Sequence, residues 1–213
     1  QAAAMGAKET DKRGIPTKGP YPPGVKSIPM FYGAITGISL VVGQAFAHGV
    51  YTFAGTSAFD AKLTTLAAQG LGWMYLGMGA FKACSMGVAV ILGTWRNESK
   101  VGNPNQHVYK TFGSSDSTPY VLMEEEGVIG KFNRAQRAHM VMVEGLPLLL
   151  ANFLLAAFVF PLPAFLCAVV FSVTKVQSAA GYVKDTDSRM SIGNIFAGAF
   201  IEGLTLYAGW RAL

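Results

Sequence analysis

Apolar residues fill this chain in long blocks separated by short polar breaks, and the blocks are far longer than strands. The first runs from Met30 to about Thr56 and the second from about Leu66 to Trp95. A third runs from about Phe132 to Phe160, a fourth through AFLCAVVFSVTKVQSAAGY, and a fifth from about Ser191 to Trp210. Blocks of this length predict membrane-spanning helices, five in number, and hence an all-α polytopic membrane helix bundle. The third block would be roughly 43 Å long at the helical rise, against about 30 Å of hydrocarbon, so its charged first turns are predicted to protrude. Pro147 is predicted to kink it. Residues 1–29 are polar and proline-rich and read as an extended arm on a surface. A short link carries Asp60 and Lys62, residues 96–131 form a long polar loop, and Pro161 to Pro163 make a tight turn.

Composition agrees with this pattern: of 213 residues, 51% are hydrophobic and 14% charged, the profile of a membrane protein. The net charge of +5 does not point to nucleic acid, because five crossings sort the cations by side. Of the 17 lysines and arginines, Lys82 and Lys175 fall within spans and only Lys62 and Arg211 on one side, leaving the other thirteen opposite. That bias predicts a cytosolic, stromal or matrix location for the cationic side and the N-terminus. Membrane lipids are the first partners implied. The membrane itself is expected to be organellar, thylakoid or inner mitochondrial, or else endoplasmic reticulum. An opening Gln1 is compatible with a cleaved targeting segment and equally with a sequence that begins further along the protein.

Cys84 and Cys167 both lie in predicted spans and read as small apolar residues. His48, His107 and His139 lack metal-ligand spacing. Gln44 and His48 lie one turn apart in the first span, where a histidine ligates a chlorophyll or haem metal or else bonds a neighbouring helix. Gly33 and Gly37 suggest close packing of that span. Lys82 and Glu202, near mid-membrane in different spans, read as a buried ion pair fixing the bundle. Lys175 reads as a lysine that snorkels to the rim.

The stretch KFNRAQRAHMVMVEGLP, Lys131 to Pro147, is where polar chain becomes apolar helix. Helical spacing gathers Asn133, Arg137, Met140, Val141 and Glu144 on one face. A guanidinium and a carboxylate at the edge of a span must be paired, hydrated or bound. They form either a basic turn among lipid headgroups or a polar ligand site at the rim.

FNRAQRAH followed by VEGLP, with the later AAGY and DSRMSIGNI, resembles the signature of the MAPEG superfamily, membrane-associated proteins of eicosanoid and glutathione metabolism. Within it the chain is most similar to the third type of microsomal glutathione transferase. The resemblance covers about 66–213 and implies a four-helix MAPEG-like core, with Met30 to Thr56 as one additional N-terminal transmembrane helix. It implies glutathione bound at one rim between protomers of a homotrimer. Arg137, Glu144 and Tyr182 match residues that hold glutathione, and Arg189 matches the arginine that stabilises its thiolate in catalysis. Val141 stands where the family has an asparagine ligand, Gly145 where many members have an aromatic residue, and Ser178 where one branch has a tyrosine. Valine cannot hydrogen-bond, so the peptide part of glutathione would lose a partner there. Two functions follow: a glutathione-transferase or peroxidase-like enzyme acting on lipophilic electrophiles, or a non-catalytic accessory subunit of a large photosynthetic or respiratory membrane complex that keeps the fold.

Overall fold

The computed structural model describes residues 17–22, 24–53, 56–100, 124, 126–185 and 191–213. Its helices are α1 (Ile28–Phe53), α2 (Thr56–Ala68), α3 (Gly72–Ser99), α4 (Gly127–Val159), α5 (Pro161–Lys184) and α6 (Ile192–Ala212). α3 packs on α4 and α5, and α6 packs on the same two, so α3 to α6 form a four-helix core. α1 reaches only α3 and α2 to any extent and is the added N-terminal helix. The protein is thus an all-α membrane helix bundle.

Among the described residues four helices, α1, α3, α4 and α5, are both long and apolar enough to cross a membrane. α6 has 21 residues, with Asn194 and Glu202 inside it. It runs beside α4 and α5, and the Thr205 hydroxyl donates to the Asn152 carbonyl of α4 at 2.8 Å.

Local chemistry sets the ends. The Ser27 hydroxyl accepts from the Met30 amide at 3.4 Å, and Pro29 sits in the first turn of α1, where its missing N–H costs nothing. The stretch read as a link is instead the helix α2. It stops at Gly70, whose φ of +66° places it in the left-handed region. The Leu71 amide then bonds the Leu66 carbonyl and the Gly70 amide that of Ala67, a paired closure that satisfies the last carbonyls. α4 is 33 residues, roughly 50 Å, and Pro147 removes one of its backbone bonds. α4 and α5 meet at Phe160 with no intervening loop, Pro161 occupying the first turn of α5.

The core is built from rings set against small residues. Phe81, Phe153, Ala156, Ala157, Ala164, Ala168 and Ile201 form one buried cluster, and Cys84, Val88, Met142 and Ala179 another nearer the arginine-bearing ends. In a bilayer, such close packing is the main source of helix association. Gly77 has a specific reason to lack a side chain: a Cβ there would lie 2.2 Å from Cζ of Phe153. Gly77→Ala is therefore expected to destabilise the bundle by about 1–3 kcal/mol. Gly33→Ala, where nothing lies within 4 Å, should leave the unfolding midpoint in detergent unchanged. Among the described residues nothing lies within 4 Å of a Cβ built on Gly33 or Gly37, contrary to the expectation that they pack α1 closely.

The described part of the arm clasps the end of α3. Tyr21, Ile28 and Tyr32 crowd Gly93, the Tyr21 and Tyr32 hydroxyls lie 3.2 Å apart, and Phe31 meets both tyrosine rings edge-on. Burial, reinforced by the bond to Tyr32, pushes the Tyr21 phenol well above its usual range, opposed by the nearby Arg96. Below Thr36, which donates to Met86 of α3 at 3.5 Å, α1 parts from the bundle, and its apolar stretch is wholly exposed.

Candidate functional site

α3 ends, α4 begins and α5 ends at one rim, and polar side chains lace the three together. Arg96 of α3 donates to Gln136 of α4 at 2.9 Å and lies over the Phe132 ring, 5.2 Å from its centroid. Lys131 covers the Trp95 ring at 4.9 Å, and Arg134 of α4 donates to the Val183 carbonyl near the end of α5 at 3.1 Å. Asn133 turns away from the arginines and donates to the Glu124 carbonyl at 2.8 Å. With the helix ends pinned, α4 and α5 hold a cleft open between them.

That cleft has a volume of about 300 Å³ and is lined by Arg137, Ala138 and Val141 from α4 and by Lys175, Ser178, Ala179 and Tyr182 from α5. The spacing explains the lining, since positions 175, 178 and 182 share one face of α5 and positions 137, 138 and 141 one face of α4. Arg137 and Tyr182 thus meet in one cavity. Glu144 is two turns along α4, and Arg137 reaches down to it, Nη1 to Oε1 at 3.3 Å. Both side chains are more than half exposed, at 53% and 57%, so the pair is weakly committed and open to exchange for a ligand. Arg189 lies outside the described residues.

A second cavity of about 320 Å³ adjoins the first. Val141 and Lys175 line both. Its walls are mostly apolar, with Phe81, Met142, Leu146, Leu149 and Phe171, and it also meets Cys84, Gly145 and Glu202. A polar rim cleft therefore continues into an apolar pocket within the bundle. Two cations, a phenol and a hydroxyl suit an anionic, hydrogen-bonding ligand, and the deeper walls suit an apolar one. Guanidinium and ammonium groups also favour the thiolate form of a nearby thiol.

Lys175 is the functional candidate that sequence reasoning passed over. Taken for a lysine snorkelling to the rim, it stands half-buried where the cavities meet. Its helical spacing to Tyr182 was the available signal. Lys82 and Glu202 correct the sequence reading in another way. They are not a buried pair: both are exposed, and neither hydrogen-bonds nor pairs with any described residue. Lys82 follows the core residue Phe81, and one helical step of about 100° turns it outwards, whereas Glu202 lies exposed in the lining of the apolar cavity. His48 lies exposed on α1, away from the cleft. Cys84 and Cys167 are free thiols in α3 and α5. Among the described residues no three His, Cys, Asp or Glu side chains converge as metal ligands.

The model of the MAPEG family matches residues 74–210, from the start of α3 to the end of α6. No curated protein and no solved structure matched the chain. The matched stretch covers well over half of the sequence and coincides with the four-helix core that holds the cleft. This chain belongs to the MAPEG family.

Proposed function

We propose that the chain binds glutathione in the rim cleft and presents its thiolate to lipophilic electrophiles or peroxides in the adjoining apolar pocket, in the manner of the third type of microsomal glutathione transferase. The observation that carries this reading is the junction of a cationic cleft with an apolar cavity at Val141 and Lys175. Arg137 and Lys175 would take the carboxylates of the tripeptide, and Tyr182 and Ser178 would supply hydrogen bonds. Arg189 is the residue assigned to the thiol, on the family resemblance. In conjugation the sulfur electron pair forms a bond to an electrophilic carbon, and the displaced pair leaves with a group or is protonated.

Calorimetric titration of the detergent-solubilised protein with reduced glutathione is the direct test. Saturable binding that Lys175→Met weakens by about tenfold supports the reading. Absence of any binding heat up to millimolar glutathione removes it. Val141→Asn should restore a hydrogen-bonding group to the cleft wall and tighten binding by about fivefold in the same titration.

A second reading draws on α1 and α2. They precede the family-matched stretch, and α1 leaves most of its apolar surface uncovered by this chain. That surface suits an accessory subunit docked in a large organellar membrane complex. Migration of the solubilised protein with such an assembly, and no glutathione binding, would favour this reading.

A further inference from the structure

The apolar cavity holds a nucleophile that glutathione chemistry leaves unused. Cys84 of α3 is a free thiol, 3% exposed, yet it lines this space of about 320 Å³ together with Phe81 and Ser85. Cys167 of α5 is the more exposed thiol, but it packs against the cluster around Phe153 and lines neither cavity.

Two groups of α5 meet the Cys84 sulfur. α3 packs along α5, and Ser172 and Lys175, three residues apart on one face of that helix, both lie close enough to Cys84 to act on it. The Lys175 ammonium meets the negative charge that builds on a sulfur as it attacks. Ser172 is 6% exposed, and its hydroxyl has no hydrogen-bond partner among the described residues. A buried hydroxyl left unbonded is costly, and one beside a thiol is free to donate to the sulfur once charge develops there. The cavity also has room beside α4, since nothing lies within 4 Å of a Cβ built on Gly145 in its lining.

We propose that Cys84 is a covalent modification site for lipophilic α,β-unsaturated carbonyl compounds that enter the apolar cavity. The sulfur electron pair forms a bond to the β-carbon, the double-bond pair moves to the α-carbon, and that carbon takes the proton the thiol gives up. Nothing is oxidised or reduced, and no group leaves. The adduct fills the cavity below Val141 and Lys175, so the pocket closes to a further ligand. The proposal rests on the reading that this pocket takes a lipophilic electrophile, and not on glutathione.

The test uses the full chain in phospholipid vesicles without glutathione, with N-phenylmaleimide as the probe and peptide mass spectrometry as the readout. Cys84 is expected to react about tenfold faster than Cys167, against the order of their exposure. Lys175→Met should slow Cys84 by about tenfold and Lys175→Arg should keep most of the rate, while Ser172→Ala should slow it by about threefold. Gly145→Leu should slow it about tenfold by filling the cavity. An unchanged rate at Cys167 in each variant reports an intact bundle. A Cys84 that reacts no faster than Cys167 would overturn the proposal, as would a Cys84 rate unmoved by Lys175→Met or by Gly145→Leu. Fast labelling of a protein that binds no glutathione would leave this inference standing and remove the glutathione reading, and glutathione binding without labelling would do the reverse.

Discussion

Arg137→Ala is expected to weaken glutathione binding by about 10- to 100-fold while leaving the bundle intact. The magnitude is that of losing charge-assisted hydrogen bonds from a site partly shielded from water. Stability should change by less than about 1 kcal/mol, because the bond lost within the protein is an exposed ion pair to Glu144. Calorimetry on the variant reads the first quantity, and its unfolding midpoint in detergent reads the second. Arg137→Lys should recover only part of the affinity, since an ammonium cannot make the two parallel bonds that a guanidinium offers a carboxylate. Undiminished binding in Arg137→Ala would move the ligand out of the cleft.

Phe153→Ala is expected to have the largest structural effect, a loss of roughly 3 kcal/mol. Phe153 is 0% exposed, its ring meets Phe81 edge-on at 5.1 Å, and its tip fills the notch left by Gly77. Lipid does not drive helices together as water does, so the loss would come from broken packing contacts and the void left behind. Denaturant titration in mixed micelles would measure it, and Phe153→Leu should cost clearly less. A Phe153→Ala variant as stable as the parent would show that the centre of the bundle contributes little to holding it together.

Much of this architecture was readable from the chain because hydrocarbon thickness imposes a length that composition alone reveals. The blocks around α1, α4 and α5 appear in the sequence within one or two helical turns of their structural ends, while the block around α3 opened at Leu66, inside α2. α2 was missed because 13 residues are too few to span and its threonines and lone Asp60–Lys62 pair resemble a link. On the site, the KFNRAQRAH stretch led to Arg137 and the family resemblance at AAGY to Tyr182, and both line one cleft. Lys175 was not recognised, because a lysine near a helix end has an ordinary explanation and only the facing of α4 and α5 shows that it lines a cavity. Lys82 and Glu202 defeated sequence reasoning for the same reason. Depth can be counted along a helix, but the direction in which a residue points depends on which neighbours the helix acquires.

The contrast between α1 and α6 bears on how the protein reaches its membrane. α1 has a mean hydropathy of 1.5 over its best stretch and gains almost nothing from its neighbours, so it must be sufficiently greasy to partition on its own as it leaves the translocation machinery. α6 carries Asn194 and Glu202 among its apolar residues and packs along both α4 and α5. The α4–α5 hairpin gives α6 packing partners that α1 does not have, so loosening that hairpin is expected to free α6 and to leave α1 where it is.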